Sequence, residues 1–237
     1  MKYRNQKKKY FSLASAGRTA DIFIFGDITS WEWLESDVSS YTLARAVQDL
    51  DADQINVHIN SYGGEVAEGL AICNSLKNHP ARVRTVCDGF ACSAASVVFM
   101  AGDERVMNPA SLLMVHNAWT NASGNARELR KAADDLDVIT SASVETYKAR
   151  ANLSDGELAE LLDNETWITP ADAVAWGFAT EVLEEPQAET ASQSARAAVF
   201  QALTTAEKPP APPPPPRPEE KKDLSTFLSA LTKGGKE

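Results

Sequence analysis

The chain has 237 residues, 43% of them hydrophobic, enough for one substantial buried core or for one domain and a tail. Its formal charge of −10 is unevenly spread: residues 1–10 carry +5 and 217–237 carry +1, so 11–216 carries −16. A body that acidic repels phosphate backbones, and no apolar run approaches the roughly 18–20 residues of a membrane span, so neither nucleic acid nor a bilayer is the expected partner.

Residues 1–20 read as a basic leader headed by Lys2, Arg4, Lys7, Lys8 and Lys9. Ala14-Ser15-Ala16 mimics a signal cleavage site, but the four residues 10–13 before it fall short of an apolar region of about 7–15 residues, so a cytoplasmic location is expected. Ile22-Phe23-Ile24-Phe25 predicts a short buried strand ending at Gly26, and 38–50 has apolar positions at helical spacing. Residues 55–60 alternate like a strand until Ser61-Tyr62-Gly63-Gly64 breaks the pattern. A helix is expected over 65–78, with Val66, Leu70, Cys73 and Leu76 on one face and Pro80 stopping it. Residues 82–87 read as a strand, followed by a glycine turn at Gly89 and a helix of small residues over 93–101. Val106-Met107 and 112–116 are further strands, 125–150 a long helix, and 157–162 and 170–176 two short ones.

Beyond 185 the composition changes. An Ala-rich helix is expected over 186–208, and eight of the twelve prolines lie within 209–218, which predicts a stiff polyproline spacer. In 219–237, Asp223 is placed to cap a helix with Leu224, Phe227, Leu228 and Leu231 at i, i+3, i+4, i+7, an apolar stripe suited to docking a partner. Cys73, Cys87 and Cys92 sit in apolar segments and are odd in number, which fits buried thiols better than disulfides or a metal site. Repeated strand–helix units imply an α/β protein with a largely parallel sheet.

Three histidines exist: His58 inside an alternating strand, His79 before Pro80, and His116 at the end of Leu112-Leu113-Met114-Val115. The carboxyl ends of strands are where α/β proteins place their sites, so His116 is the candidate general base. Ser93 opens the small-residue helix, where aligned backbone N–H groups and the helix dipole suit a nucleophile and its oxyanion, although an N-cap serine has the same signature. Gly63-Gly64 allows close backbone approach and a second oxyanion donor. Neither a Gly-x-Ser-x-Gly elbow nor a phosphate-binding loop occurs at these positions.

Taken in order, four segments carry a resemblance: Ile59-Asn60-Ser61-Tyr62-Gly63-Gly64, Gly89-Phe90-Ala91-Cys92-Ser93-Ala94, Met114-Val115-His116-Asn117, and 165–173 followed by Trp176-Gly177-Phe178-Ala179. Over 21–185 the chain resembles the Clp protease proteolytic subunit family (ClpP), most closely its phage head-maturation (prohead) relatives. The resemblance implies a ClpP/crotonase-type α/β superhelix of repeated β-β-α units, with a mainly parallel sheet and a protruding handle helix at 125–150. It also implies a serine endopeptidase with Ser93 as nucleophile, His116 as base and Glu165 as the acid. Asp163 is the alternative acid, and backbone N–H groups of Gly64 and Ala94 are the oxyanion donors. No metal or organic cofactor is implied.

The implied partners are protein substrates, further copies of the chain in a ring, and phage scaffold, capsid or portal proteins in the host cytoplasm or inside the procapsid. Tyr62 stands where the family has proline, which is expected to loosen that loop. Cys92 matches a small buried position, and Ser96 lies one helical turn beyond Ser93. The competing readings are a proteolytic subunit working with a Clp-type ATPase, a crotonase-like acyl-CoA enzyme, a Ser/Lys signal-peptide-peptidase relative and a catalytically silent scaffold-interacting protein.

Overall fold

Strand β1 (Phe11–Ala14), within the stretch read as a leader, pairs antiparallel with β2 (Thr19–Ile24). Apolar alternation then sets the sheet. Ala20, Ile22 and Ile24 of β2 and Ile55, Val57 and Ile59 of β3 (Gln54–Ser61) are all buried, while His58, pointing the other way, stacks on Phe23 at 5.0 Å. Burying each such aliphatic side chain contributes about 1.5–3 kcal/mol. The computed structural model describes residues 11–14, 18–34 and 36–184, so the basic residues of 1–10 and the extension, spacer and stripe expected over 186–237 lie outside the described residues.

Helix α1 (Ser40–Gln48) is capped by Ser39, whose hydroxyl accepts from Thr42 N–H, and buries Leu43 and Val47. Helix α2 (Val66–Lys77) buries Gly69, Ile72, Cys73 and Leu76. Strand β4 (Arg82–Cys92) is longer than the sequence pattern suggests, because it does not turn at Gly89. The missing side chain at Gly89 leaves room for Asn60: a Cβ there would lie 2.5 Å from Asn60 Oδ1, which accepts from Phe90 N–H at 3.2 Å. Asn60 thus bridges a shift in register between β3 and β4, and the glycine marks an irregularity within a strand instead of its end.

That length lets β4 serve two neighbours. Its first half pairs with β5 (Glu104–Met107), and its last residues, Phe90–Cys92, pair with β6 (Leu112–Val115). Helix α3 (Ala94–Phe99) follows β4 directly and is wholly buried. Helix α4 (Ala126–Lys148) begins in a capping box of Asn125 and Glu128 and buries only Ser143 and Tyr147 near its end; its first four turns stand clear of the body, as a handle does.

Helix α5 (Asp155–Asp163) leads into β7 (Thr166–Ile168), which runs antiparallel to β6. Helix α6 (Pro170–Ala175) then leads to β8 (Glu181–Val182), parallel to β5. Strands β1, β7 and β8 are too short for periodicity to reveal. The main order is β1-β2-β3-β4-β5-β8, with β6 and β7 branching from β4. All but the β1–β2 and β6–β7 ladders are parallel, as expected for an α/β chain.

Arg105 ties the last segment down: its guanidinium donates to the carbonyls of Phe178 (2.8 Å), Gly102 (3.0 Å) and Gly177 (3.3 Å) while 6% exposed. Cys73, Cys87 and Cys92 are buried and free. Among the described residues no helix is long and apolar enough to cross a membrane.

Candidate active site

Three strand ends converge on a cavity of about 770 Å³ lined by Gly63, Gly64, Ser93, Ala94, His116 and Glu165, among others. Ser93 follows β4 and is the N-cap residue of α3, but its side chain makes no capping hydrogen bond. Its backbone takes φ 55 and ψ −126, a conformation rare outside glycine, which turns the hydroxyl out of the helix start and toward the end of β6. His116 Nε2 lies 2.8 Å from Ser93 Oγ. With the serine hydroxyl as donor, the imidazole proton sits on Nδ1 and Nε2 is free to accept.

The loop after β3 closes the other wall. Gly63 and Gly64 have φ +97 and +145. A Cβ on Gly63 would come within 2.6 Å of Cys92 O and 2.9 Å of Ala94 N, and one on Gly64 within 2.1 Å of Ile28 O, so both positions require glycine. Tyr62 does not leave this loop slack. Ile28 N–H donates to Gly63 O (2.9 Å), Glu65 N–H donates to Ile28 O (2.8 Å), Ser61 Oγ donates to Gly26 O (2.7 Å), and Gly63 N–H donates to Ser61 Oγ (3.0 Å).

Glu65 accepts from Thr29 Oγ1, Ser30 N–H and Ser30 Oγ, and the Ser30 backbone bond holds its carboxyl below the usual range. The N–H groups of Gly64 and Ala94, both at the cavity, have no hydrogen-bond partner among the described residues. Two unpartnered donors beside a hydroxyl that contacts an imidazole form an arrangement suited to an oxyanion.

Glu165 lines the same cavity, in a left-handed backbone conformation at φ 48, but its carboxylate does not hydrogen-bond His116. Asp163 is not on the imidazole either; it accepts from Asn117 Nδ2 at 2.7 Å, one residue beyond the histidine. The structure therefore joins Ser93 to His116 and leaves both acids short of the imidazole. His58 pairs instead with Asp88 at 2.8 Å, and His79 with Leu50 O and Ala81 N–H; neither lines the cavity. Burial pushes the Cys92 thiol up to about 11 and Cys87 up to about 12, which fits packing roles. No group of three or more His, Cys, Asp or Glu among the described residues is placed to hold a metal ion.

A family model described as Clp protease matches residues 5–186. The chain belongs to the Clp protease family. It is 31% identical over 134 residues to the ATP-dependent Clp protease proteolytic subunit of Deinococcus radiodurans, an alignment spanning 56% of this chain and 66% of that protein. It is 30% identical over 143 residues to the ATP-dependent Clp protease proteolytic subunit 2 of Thermobifida fusca, spanning 60% of this chain and 70% of that one. The alignments thus span about two thirds of the relatives' own lengths. Membership places the chain among serine-type peptidases and agrees with its mostly parallel α/β sheet.

Sequence reasoning singled out Ser93 and His116, which the structure brings together, but missed part of the cavity wall. Tyr147 and Ser143 enter it from the end of α4, and Trp119 from the segment before that helix. Nothing local marks Tyr147; only its burial at a helix base does.

Proposed function

We propose that this Clp-family chain hydrolyses peptide bonds in protein substrates, with Ser93 as nucleophile and His116 as general base. The observation that carries the proposal is the 2.8 Å contact between Ser93 Oγ and His116 Nε2. As Oγ attacks a peptide carbonyl, Nε2 takes its proton, and the carbonyl oxygen becomes an anion facing the N–H groups of Gly64 and Ala94. In comparable enzymes one such donor is worth about 2.7–4 kcal/mol of transition-state stabilisation. The imidazolium then protonates the leaving amine, and water releases the acyl group by the reverse route. Glu165 is the proposed partner of Nδ1, reached by side-chain rotation across the cavity it lines, with Asp163 as the alternative acid. An acyl-CoA enzyme of the crotonase type has no use for the Oγ–Nε2 contact.

The working assembly is proposed to be a ring of copies facing one another through α4, where Leu129, Val138 and Ile139 remain 43%, 70% and 42% exposed in the single chain. For the biological setting, one reading, carried by the resemblance to phage head-maturation relatives, is a protease acting on phage scaffold or capsid proteins in the host cytoplasm or procapsid. The names of both relatives support the second reading, a subunit working with a Clp-type ATPase.

Labelling with a fluorophosphonate tests the chemistry: adduct on Ser93 is expected, and no labelling, or unchanged peptide cleavage by Ser93→Ala, would exclude it. Incubating the protein with capsid and scaffold proteins, without ATP or any ATPase, separates the two settings. Cleavage favours the maturation protease, and its absence favours the ATP-dependent subunit.

A further inference from the structure

The carbonyl of Ser93 is held by three donors: Ser96 N–H at 2.9 Å, Val97 N–H at 3.3 Å and Ser96 Oγ at 2.6 Å. Ser96 Oγ in turn lies 2.7 Å from the Tyr147 hydroxyl. A serine hydroxyl has one proton, and here it goes to the Ser93 carbonyl. Ser96 Oγ is therefore the acceptor in its second bond, and the Tyr147 hydroxyl is the donor at the head of the chain. Both side chains are almost wholly buried, at 1% and 2% exposure, so water competes little for these bonds. Burial also pushes the Tyr147 phenol up to about 12, which keeps its proton in place at neutral pH.

The Ser93 carbonyl and the Ala94 N–H belong to one planar trans peptide unit and point in opposite directions. Whatever holds the carbonyl inward aims the N–H outward, and hydrogen bonding to the carbonyl polarises that N–H. The unit needs such anchoring, because its orientation is set by the ψ of Ser93, in a backbone state that side-chain-bearing residues avoid. We infer that Tyr147 and Ser96 are positioning residues, which aim and polarise the Ala94 N–H at the oxyanion that forms on Ser93. Neither side chain hydrogen-bonds Ser93 Oγ or the His116 imidazole. The inference rests on the peptidase reading, and it ties the base of α4 to the chemistry.

The test is turnover of a fluorogenic peptide by full-length wild type, Tyr147→Phe, Ser96→Ala, the double variant and Ser93→Ala. Sites are titrated with a fluorophosphonate so that rates are per competent site. Tyr147→Phe is expected to lower kcat about tenfold, with KM within about twofold, because the missing bond matters in the transition state. Ser96→Ala should lower kcat at least as much, and adding Tyr147→Phe to it should cost less than about twofold more. A purely structural role would reduce the number of titratable sites and leave kcat per site unchanged, and that result overturns the inference. So does full additivity of the two substitutions. Should Tyr147→Phe fail to fold, an unchanged kcat in Ser96→Ala overturns it alone. Turnover that survives Ser93→Ala overturns the peptidase reading and this inference together, whereas Ser93-dependent turnover unaffected by Tyr147→Phe overturns only the inference.

Discussion

Adding one methyl group at Gly63 tests whether the loop after β3 is part of the chemistry. An alanine there must hold φ +97, a backbone state costing a side-chain-bearing residue about 1–2 kcal/mol. Its Cβ would meet Cys92 O at 2.6 Å, Ser93 Cβ at 2.8 Å and Ala94 N at 2.9 Å, mostly backbone atoms that cannot swing aside. To reach ordinary contact at 3.4 Å the loop must recede by about 0.5–0.8 Å, carrying the adjoining Gly64 N–H away from Ser93. Displacements of that size weaken a preorganised donor, and losing one oxyanion donor lowers kcat about 10²–10³-fold. Gly63→Ala should thus lower kcat about 100-fold and stability by only about 1–3 kcal/mol. The matched control is Gly156→Ala at an exposed position of α5, where nothing lies within 4 Å of the new Cβ; it should gain up to about 1 kcal/mol and keep full activity. Peptide turnover and thermal unfolding, measured on the same preparations, decide the matter. A folded Gly63→Ala protein retaining more than about half of the wild-type kcat would refute the assignment of this loop to the oxyanion.

The identity of the acid follows from paired isosteres: Glu165→Gln is expected to lower kcat about 100-fold or more and Asp163→Asn less than about fivefold, and the reverse order in steady-state kinetics would assign the role to Asp163. Replacing Arg105 by Met strands the carbonyls of Gly102, Gly177 and Phe178 and should cost about 3 kcal/mol in denaturant unfolding; a midpoint equal to wild type would contradict that accounting.

Buried Cys87, Cys92 and Tyr147 resist ionisation up to about 12, 11 and 12, against ordinary values of 9.0, 9.0 and 10.0. The unfolded chain therefore sheds these protons first as pH rises. Their contribution is complete below about pH 8 and is lost between about pH 9 and 12, which a pH series of melting temperatures checks. At pH 8 the native thiols should also resist maleimide until the protein unfolds, and rapid labelling of Cys92 with loss of activity would revive a thiol mechanism.

Legibility of the fold tracked periodicity. The alternation in 55–60 appears as β3 within a few residues, because that pattern must bury one face whatever its neighbours do, and the helix expected over 125–150 appears as α4, although most of its apolar positions stay uncovered in the single chain. Gly89 misled for the opposite reason. A glycine in an apolar run reads as a turn, and only the Asn60 side chain from the adjacent strand reveals that the strand continues through an irregularity. Three-residue β7 carries too few residues for any period, and is a strand only because β6 lies alongside it.

From its residues alone this chain declared an α/β order of segments, a buried thiol set, a serine opening a helix of small residues and a histidine at the carboxyl end of a strand. These are local matters: spacing and side-chain chemistry act over a few neighbours and can be read in line. The 2.8 Å approach of Ser93 to His116, the positive φ that aims the serine, the distance of Glu165 from the imidazole and the contact of Tyr147 with Ser96 were decided by packing. Each joins positions far apart in the polymer or imposes a backbone state that no residue prefers by itself. Such arrangements exist only once the whole core closes around them.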